Sequence, residues 1–431
     1  MKGIINFYKE TNFQENLTIG KIPKDWKVNQ LQNIISLCQN GIWGDDPREN
    51  EESYPIIRST EITHDGKIDL STVSYRKVSK EKVNLYSLQD GDILVVGSSG
   101  SPHLIGRCAL FLHPKDNKTY LFSNFMIRIR PKNVNPKFLY YFLNSNFYFN
   151  FLKNLQQTST GLRNLPKKEW LKLNIPLPSL EEQEAIALIL STVDEAIQKT
   201  DEIIAKTERL KKGLMQELLT KGIGHKEFRD TEIGRIPKEW EVVKLGDKEL
   251  VEIIMGQSPP SSTYNREGKG LPFLQGKMEF GDIYPSPIMY CSQPIKIAEP
   301  NDILISVRAP VGDVNITPYK LCIGRGLAAI RFNLNRASHW FYFYYFQKIK
   351  NFLENLGKGS TFKAISKEDL ENLKVPYPPL CEQQKIAEIL STLDKRLEIE
   401  RKEKAKLERI KQGLMDLLLT GKVRVRIEGV K

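Results

Sequence analysis

The chain has 431 residues, with 64 Lys and Arg against 52 Asp and Glu, so its formal net charge is +12. A hydrophobic content of 40% excludes a wholly disordered chain, and the basic excess favours a polyanionic partner. No apolar stretch has the length of a signal peptide or membrane span, and five scattered cysteines without a CxxC pair favour a reduced, cytoplasmic protein.

The chain contains an internal duplication. Residues 19–26 recur at 233–240 with six of eight positions identical. Residues 180–194 recur at 380–394, and residues 206–220 at 406–420, each with ten of fifteen positions identical. The sequences between these motifs match poorly. Two similar frames therefore hold two dissimilar inserts, a pattern that favours a shared scaffold with two different targets.

In the first copy, apolar runs predict strands at 54–58, 92–96, 108–112 and 121–130, followed by a helix from 136 to about 155. A longer helix is predicted over 180–220, because this stretch contains no proline. Ser179 is a plausible N-cap with Glu182 at the capping-box spacing, and Gly222 stands just past the end. About 40 residues at 1.5 Å each give a rod of roughly 60 Å.

The second copy repeats this order. Strands are predicted near 271–275, 302–307, 313–316 and 327–332, and a helix over about 337–356. The aromatic run 340–346 within that helix could be a base-stacking platform, but a buried core helix is the better interpretation. A second long helix is predicted over 380–420, ended by Gly421.

Both long helices carry a heptad pattern that is apolar at the ends and more polar in the middle, which favours a coiled coil over packing on a single domain. Tandem copies paired through equivalent faces would place the helices antiparallel. The residues expected in this seam are Ile186, Leu190, Val193, Ile197, Ile204, Leu214, Leu218, Ile386, Leu390, Leu393, Leu397, Leu407, Leu414 and Leu418.

The predicted fold is α+β, with internal pseudo-two-fold symmetry. Two globular mixed α/β domains are separated by two long helices packed as an antiparallel coiled coil. The predicted divisions are an extension at 1–18, a first globular domain at 19–165 with its helical region at 166–222, and a second globular domain at 223–365 with its helical region at 366–431.

The sequence carries no catalytic constellation. Its five histidines have no metal-ligand spacing, the phosphate-loop pattern around 357–361 is incomplete, and no cofactor fingerprint accompanies Ser258-Pro-Pro-Ser261. Acidic pairs such as Asp90 and Asp92 more often cap turns than cut DNA.

Gly- and Ser-rich loops with basic neighbours recur at predicted strand ends. Gln and Arg can read adenine and guanine, whereas hydroxyls and amides suit phosphates. Each loop alone is better explained as an ordinary polar turn, but together with the charge they favour DNA binding. Residues 158–163 and 358–363 could equally be phosphate clamps or helix caps. The candidate DNA-binding residues are Arg58, Ser98, Ser99, Ser101, His103, Arg107, Thr160, Arg163, Gln257, Ser258, Tyr264, Lys277, Arg308, Arg325, Lys358, Thr361 and Lys363.

These motifs resemble the specificity (S) subunit of type I restriction–modification systems over nearly the whole chain. The resemblance is carried by the duplicated Ile-Gly-x-Ile-Pro-x-x-Trp motif, the Pro-x-Pro-x-Leu-x-Glu-Gln runs at 176–183 and 376–383, and the Lys-x-Gly-Leu-Met helix ends. Gly256-Gln-Ser-Pro259 is similar to the opening motif of a target-recognition domain, whereas Gly41-Ile-Trp-Gly44 in the first insert lacks the Ser/Thr-Pro.

The resemblance implies two target-recognition domains, each reading one half of a bipartite double-stranded DNA site, with the helices as a ruler between them. It implies no catalysis by this chain. Two modification subunits would supply S-adenosylmethionine-dependent methylation, and restriction subunits would use ATP and Mg²⁺. A self-sufficient methyltransferase or nuclease and a coiled-coil scaffold unrelated to DNA remain as alternatives.

Overall fold

The computed structural model describes residues 4–16, 19–157, 164–356 and 364–428. The chain forms two compact units. Unit 1 comprises Met1–Lys199 and Glu403–Lys431, and unit 2 comprises Thr200–Lys402. Each unit therefore contains one insert together with part of each long helix.

The strands of the central sheet and the long helices follow the same order in both copies. The strands of the first copy are β1 Ile4–Lys9, β2 Phe13–Asn16, β3 Gly20–Pro23, β4 Lys27–Gln30, β5 Ile35–Asn40, β6 Tyr54–Ile57, β7 Ser74–Arg76, β8 Ile93–Val96, β9 Cys108–Leu110, β10 Leu121–Phe122, β11 Met126–Pro131 and β12 Asn174–Leu177. Its helices are α1 Lys80–Tyr86, α2 Pro136–Phe142, α3 Asn146–Gln157, α4 Lys167–Trp170 and α5 Leu180–Lys221.

The second copy continues the numbering. Its strands are β13 Phe228–Thr231, β14 Gly234–Pro237, β15 Glu241–Lys244, β16 Val251–Met255, β17 Tyr264–Asn265, β18 Leu271–Leu274, β19 Met289–Cys291, β20 Ile297–Ala298, β21 Ile303–Ser306, β22 Val314–Ile316, β23 Leu321–Ile323, β24 Leu327–Phe332, β25 Lys374–Tyr377 and β26 Val423–Glu428. Its helices are α6 His339–Lys348, α7 Lys350–Leu356, α8 Lys367–Glu371 and α9 Leu380–Leu418. Among the described residues, α1 is found only in the first copy, and β17 and β20 only in the second.

The inserts share a topology that their sequences conceal. Unit 1 contains a four-stranded antiparallel sheet in the order β5-β11-β8-β9, and unit 2 contains the same arrangement as β16-β24-β21-β22. A parallel pair follows in each unit, β6 with β10 and β18 with β23. The duplication therefore extends through the dissimilar segments.

A buried aspartate supports the central sheet at the same place in each unit. In unit 1, Asp92 accepts two hydrogen bonds from the Arg130 guanidinium at 2.7 and 2.9 Å and one from the Gln89 amide at 2.9 Å. In unit 2, Asp302 accepts two from Arg331 at 3.0 and 2.9 Å. These carboxylates hold the turn before a strand, as expected of an acidic residue at a turn.

Three predicted elements are divided in the structure. The predicted strand 121–130 is two strands, β10 and β11, because a turn closes between them where the Met126 amide donates to the Ser123 carbonyl at 2.9 Å. The predicted helix 136–155 is likewise α2 and α3, separated at 143–145, and the predicted helix 337–356 is α6 and α7. The aromatic run lies in α6, where Phe341–Phe346 are buried, so its interpretation as a core helix is confirmed.

The two long predicted helices are confirmed as α5 and α9, of 42 and 39 residues. The Ser179 hydroxyl accepts from the Glu182 amide at 3.3 Å, and Gly222 and Gly421 end the helices with φ of +65° and +68°, which favours glycine. All fourteen expected seam residues are buried or half-buried.

The pairing of the long helices is antiparallel within each unit. In unit 1, Ile186 and Leu190 near the start of α5 share a core cluster with Leu418 near the end of α9. In unit 2, Leu218 near the end of α5 shares a cluster with Ile386 near the start of α9. The seam is therefore part of each unit's own hydrophobic core.

The repeated Glu-Gln motif joins each long helix to its insert. Oε1 of Gln183 accepts from the Asn135 amide at 2.9 Å, at the start of α2, and its Nε2 donates to the Pro178 carbonyl at 2.9 Å. Gln383 does the same, accepting from the Ser338 amide at 2.9 Å and donating to the Pro378 carbonyl at 2.8 Å. The duplicated sequence thus encodes duplicated contacts.

Candidate nucleic-acid interface

In unit 2, several loops meet at one end of the central sheet. The Gly256 amide donates to the Leu327 carbonyl at 2.9 Å, and the next amide, of Gln257, donates to the Ile323 carbonyl at 3.0 Å. A Cβ on Gly256 would lie 2.2 Å from the Gly324 carbonyl oxygen, so only glycine allows this approach. The result is a fixed backbone that holds Gln257 exposed.

Ser258 links three of these loops. Its hydroxyl accepts from the Gln275 side-chain amide at 2.9 Å and from the Arg325 backbone amide at 3.1 Å. Arg325 and Arg308 are both exposed. Their loops are joined by the amide of Val307, just before Arg308, which donates to the carbonyl of Gly326, just after Arg325, at 2.9 Å. Among the described residues, neither guanidinium has an ion-pair partner. This loop cluster offers an amide and two cations, which suit base edges and phosphates.

Two other candidates in unit 2 have structural partners. The Tyr264 hydroxyl donates to the Pro259 carbonyl at 2.8 Å, and its ring lies 4.6 Å from that of Phe273. The ammonium of Lys277 pairs with Asp313, which also pairs with Lys350 at 2.6 Å. Both candidates shape the cluster from partly buried positions.

Unit 1 has the same backbone arrangement with different side chains. The Gly41 amide donates to the Met126 carbonyl at 3.1 Å, and the Ile42 amide to the Phe122 carbonyl at 2.9 Å. These bonds make Gly41 the counterpart of Gly256, so that Trp43 takes the place of Ser258. Although the Ser/Thr-Pro is absent, the loop is placed in the same way.

Two exposed aromatic residues in this cluster were missed by sequence reasoning. Trp43 is 38% exposed, and the Arg76 guanidinium lies 4.4 Å from its ring. Phe125 is 57% exposed, and its carbonyl accepts from the Gly97 and Ser98 amides at 2.9 and 3.0 Å. In the sequence, the only feature that Trp43 shares with its counterpart Ser258 is a glycine two positions earlier, Gly41 in the first copy and Gly256 in the second.

Hydrogen bonds within the loop and to Asn164 hold the serine loop of unit 1. The Ser98 hydroxyl donates to the Asn164 side-chain oxygen at 2.6 Å, and the Ser99 hydroxyl accepts from the Ser101 amide at 3.1 Å. His103 is exposed and Arg107 is half-buried on the same loop. These contacts position the loop beside Phe125.

Arg58 organises a turn. Its guanidinium donates to the fully buried Glu61 carboxylate at 2.6 and 3.1 Å. Burial raises the pKa of Glu61, but the Arg58 side chain and amide outweigh it and bring that pKa below its ordinary value. Glu61 therefore balances the charge of Arg58. The remaining candidates, Thr160, Arg163, Lys358, Thr361 and Lys363, lie outside the described residues.

Within the described ranges, no group of three or more His, Cys, Asp or Glu residues could hold a metal ion. In the same ranges, no helix has the length and hydropathy needed to cross a membrane.

Comparison with known proteins places the chain in a family. The family described as type I restriction modification DNA specificity domain matches residues 23–209 and 237–409. The chain is 44% identical over 427 residues to the specificity subunit named for type I restriction enzyme MjaX of Methanocaldococcus jannaschii, covering 98% of this chain and 99% of that protein. It is 32% identical to the MjaVIII specificity subunit of the same organism, covering 98% of each.

Solved structures agree. A chain from a structure of a type I restriction–modification system, concerned with complex assembly and conformational transition, superposes with a TM-score of 0.56 at 30% identity and covers 93% of this chain and 99% of that one. The S subunit of M. genitalium shares the fold, with a TM-score of 0.60 at 18% identity over 94% of this chain and 97% of that one.

Two equivalent scaffolds with unlike loop clusters are the design of a DNA-recognition protein with two target-recognition domains. The chain belongs to the family of type I restriction–modification specificity subunits.

Proposed function

We propose that each unit reads one half of a bipartite double-stranded DNA site, and that α5 and α9 set the spacing between the halves. The helices would also dock two modification subunits, one on each equivalent face of the duplicated frame. Restriction subunits would join them in the full complex, in the cytoplasm.

One observation carries this proposal: the loop clusters share a backbone but differ in side chains. Gln257 and Arg325 of unit 2 suit hydrogen bonding to base edges or phosphates. Trp43 and Phe125 of unit 1 suit apolar contacts, for example with a thymine methyl group. Equivalent placement with unlike chemistry supports an asymmetric bipartite target.

We assign no catalysis to this chain. S-adenosylmethionine would be bound and used by the modification subunits, and ATP with Mg²⁺ by the restriction subunits. The incomplete phosphate-loop pattern at 357–361 and the absence of a methyltransferase fingerprint in the sequence support this division.

The decisive experiment is reconstitution of the chain with its modification subunits, followed by sequencing of methylated adenines in a DNA library. We expect one bipartite motif with a fixed gap. A contiguous motif, or methylation scattered without sequence preference, would refute the proposal.

Two further measurements separate the alternatives. Methyl transfer by the purified chain alone would favour a self-sufficient enzyme. A scaffold unrelated to DNA would not bind a duplex, whereas a DNA reader should bind with an affinity that falls steeply as salt rises.

A further inference from the structure

In unit 1, a tyrosine, an aspartate and a lysine join three helices. The Tyr141 hydroxyl, on α2, donates to Oδ2 of Asp194, on α5, at 2.7 Å. Nζ of Lys411, on α9, lies 2.6 Å from Oδ1 of the same carboxylate and 5.8 Å from the centre of the Tyr141 ring. The insert and both long helices therefore meet at one carboxylate.

Unit 2 contains the same cluster with the long helices exchanged. The Tyr344 hydroxyl, on α6, donates to Oδ2 of Asp394, on α9, at 2.7 Å. Nζ of Lys211, on α5, lies 2.5 Å from Oδ1 and 5.3 Å from the Tyr344 ring centre. We call these two groups the Tyr–Asp–Lys clusters.

The clusters are largely buried within the seam. The side chains of Asp194 and Lys411 are 18% and 19% exposed, and those of Asp394 and Lys211 are 10% and 18% exposed. Charges so far from solvent are costly unless they are paired. The helices thus gain from any alignment that pairs these charges and lose from one that separates them.

A single alignment satisfies both pairs. Lys211 follows Asp194 by 211 − 194 = 17 residues on α5, and Lys411 follows Asp394 by 411 − 394 = 17 residues on α9. Because antiparallel partners advance in opposite directions, the alignment that pairs Asp194 with Lys411 also pairs Lys211 with Asp394. Each pair is observed in its own unit.

A slip of one heptad keeps the apolar seam but breaks these pairs. In one direction, Lys411 would face Ala187 and Asp394 would face Ile204. In the other direction, the two aspartates would face Leu418 and Leu218. The repeated leucines and isoleucines do not by themselves distinguish these alignments, whereas the charged pairs do.

We propose that the Asp194–Lys411 and Asp394–Lys211 pairs are positioning residues that fix the alignment of α5 with α9, and with it the one gap length that the protein accepts between half-sites. Tyr141 and Tyr344 connect this alignment to the inserts. This inference rests on the proposed function, in which the helices set that gap.

The test replaces both pairs by leucine, with Asp194→Leu, Lys211→Leu, Asp394→Leu and Lys411→Leu in one chain. The variant is assembled with the modification subunits. Methylation rates are then measured on duplexes that carry both native half-sites with the gap varied one base pair at a time. Replacing buried ion pairs by apolar residues commonly preserves stability. Tyr141→Phe and Tyr344→Phe are included in the same chain, because their buried hydroxyls would otherwise lose their acceptors. The variant should therefore fold.

We expect the wild-type complex to accept one gap. The leucine variant should lose at least tenfold in selectivity for that gap and should also accept gaps about three base pairs longer or shorter. This estimate follows because seven residues at 1.5 Å each span about 10 Å, and DNA rises about 3.4 Å per base pair. A folded variant with unchanged gap selectivity would overturn the inference.

Three further variants sharpen the result. Lys211→Arg with Lys411→Arg retains both pairs and should keep the single gap. Glu398→Gln with Lys402→Met removes an exposed ion pair within α9 and should have no effect. If the leucine variant does not fold, Asp194→Asn with Asp394→Asn removes the two carboxylate charges, and with them both ion pairs, while preserving side-chain shape, and it should relax the gap. Unchanged selectivity there also overturns the inference.

The readout separates this inference from the proposed function. A wild-type complex without a bipartite motif would refute the proposed function. A wild-type complex with one fixed gap, together with variants that keep it, would refute only the role of the charged pairs.

Discussion

Arg424 and Glu182, 242 residues apart in the chain, form a bidentate ion pair: Nε and Nη2 of the guanidinium donate to the two carboxylate oxygens at 2.7 and 2.8 Å. In unit 2 the equivalent Glu382 accepts instead from His225 Nε2 at 2.9 Å and from Trp240 Nε1 at 3.0 Å. The glutamate is thus present at the equivalent position of both units, but its hydrogen-bond donors differ.

Arg424→Met should destabilise unit 1. Glu182 is 6% exposed, and without Arg424 it keeps a buried charge with no cation beside it. Breaking a buried pair in this way costs about 3–5 kcal/mol. Thermal melting should show a clear fall in melting temperature, whereas Arg426→Met, at an exposed position on the same strand, should change little. Equal losses in the two variants would contradict this.

Acid should weaken the same region. The backbone amide of Asn12 is the main cause that lowers the pKa of Glu10, and Arg424 lowers that of Asp25. Carboxyls with a lowered folded-state pKa stabilise the fold above their unfolded pKa, and this contribution is lost as the pH falls through the folded value. Melting temperature should therefore drop below about pH 4. Arg424→Met should remove the part of that drop that comes from Asp25, and an unchanged profile would argue against the assignment.

Side-chain changes in the two loop clusters should alter different half-sites. Trp43→Ala should relax specificity in one half of the target, and Gln257→Ala in the other. For Gln257, a lost bidentate base contact would cost about 1–3 kcal/mol of discrimination. Methylome sequencing of the two complexes measures this directly. Trp43 is also more exposed than the other four tryptophans, all of which lie within the described ranges, so its fluorescence should respond to DNA containing the site. Changes in the same half for both variants would count against separate readers.

Arg308→Ala with Arg325→Ala should reduce nonspecific DNA affinity. If each guanidinium contacts one phosphate, each loss lowers the magnitude of the slope of log affinity against log salt by about 0.9. The control is Arg336→Ala, since Arg336 pairs with Glu249 at the opposite ends of the same strands. A slope that falls equally in the control would place the DNA elsewhere.

Lengthening the helices should lengthen the gap. Seven residues inserted between 194 and 211 in α5, and seven between 394 and 411 in α9, preserve the seam and both Tyr–Asp–Lys clusters. The added length of about 10 Å corresponds to about three base pairs. The methylated motif should keep both half-sequences with a wider gap, and altered half-sequences would disprove the ruler.

The long helices were predictable because their signals are local. Ser179, Gly222 and the seven-residue spacing of apolar residues are all visible within one stretch of sequence. The divided strand at 121–130 was not predictable, because the turn at Ser123 interrupts an apolar run without Gly or Pro. Likewise, the helix break at 143–145 falls within a stretch that contains neither.

The candidate site was only partly predictable. Gly256, just before Gln257, indicated the loop that presents Gln257. The basic loops around Arg308 and Arg325 lie at strand ends, as predicted. Trp43 was missed because its placement depends on the Phe122 and Met126 carbonyls, far along the chain. The pairing of Arg58 with Glu61 was also not predictable, because nothing in the sequence indicates that Glu61 is buried rather than exposed to solvent.

The pairing of β1 with β26 determines the order in which the chain can fold during synthesis. Unit 2 is one continuous stretch and is complete once residue 402 has left the ribosome. Unit 1 is not, because β1 still lacks its neighbouring strand and Glu182 still lacks Arg424. Unit 1, whose first residues are translated first, is therefore completed last. A chain that ends before residue 423 would lack β26 and leave unit 1 incomplete, although unit 2 is already formed.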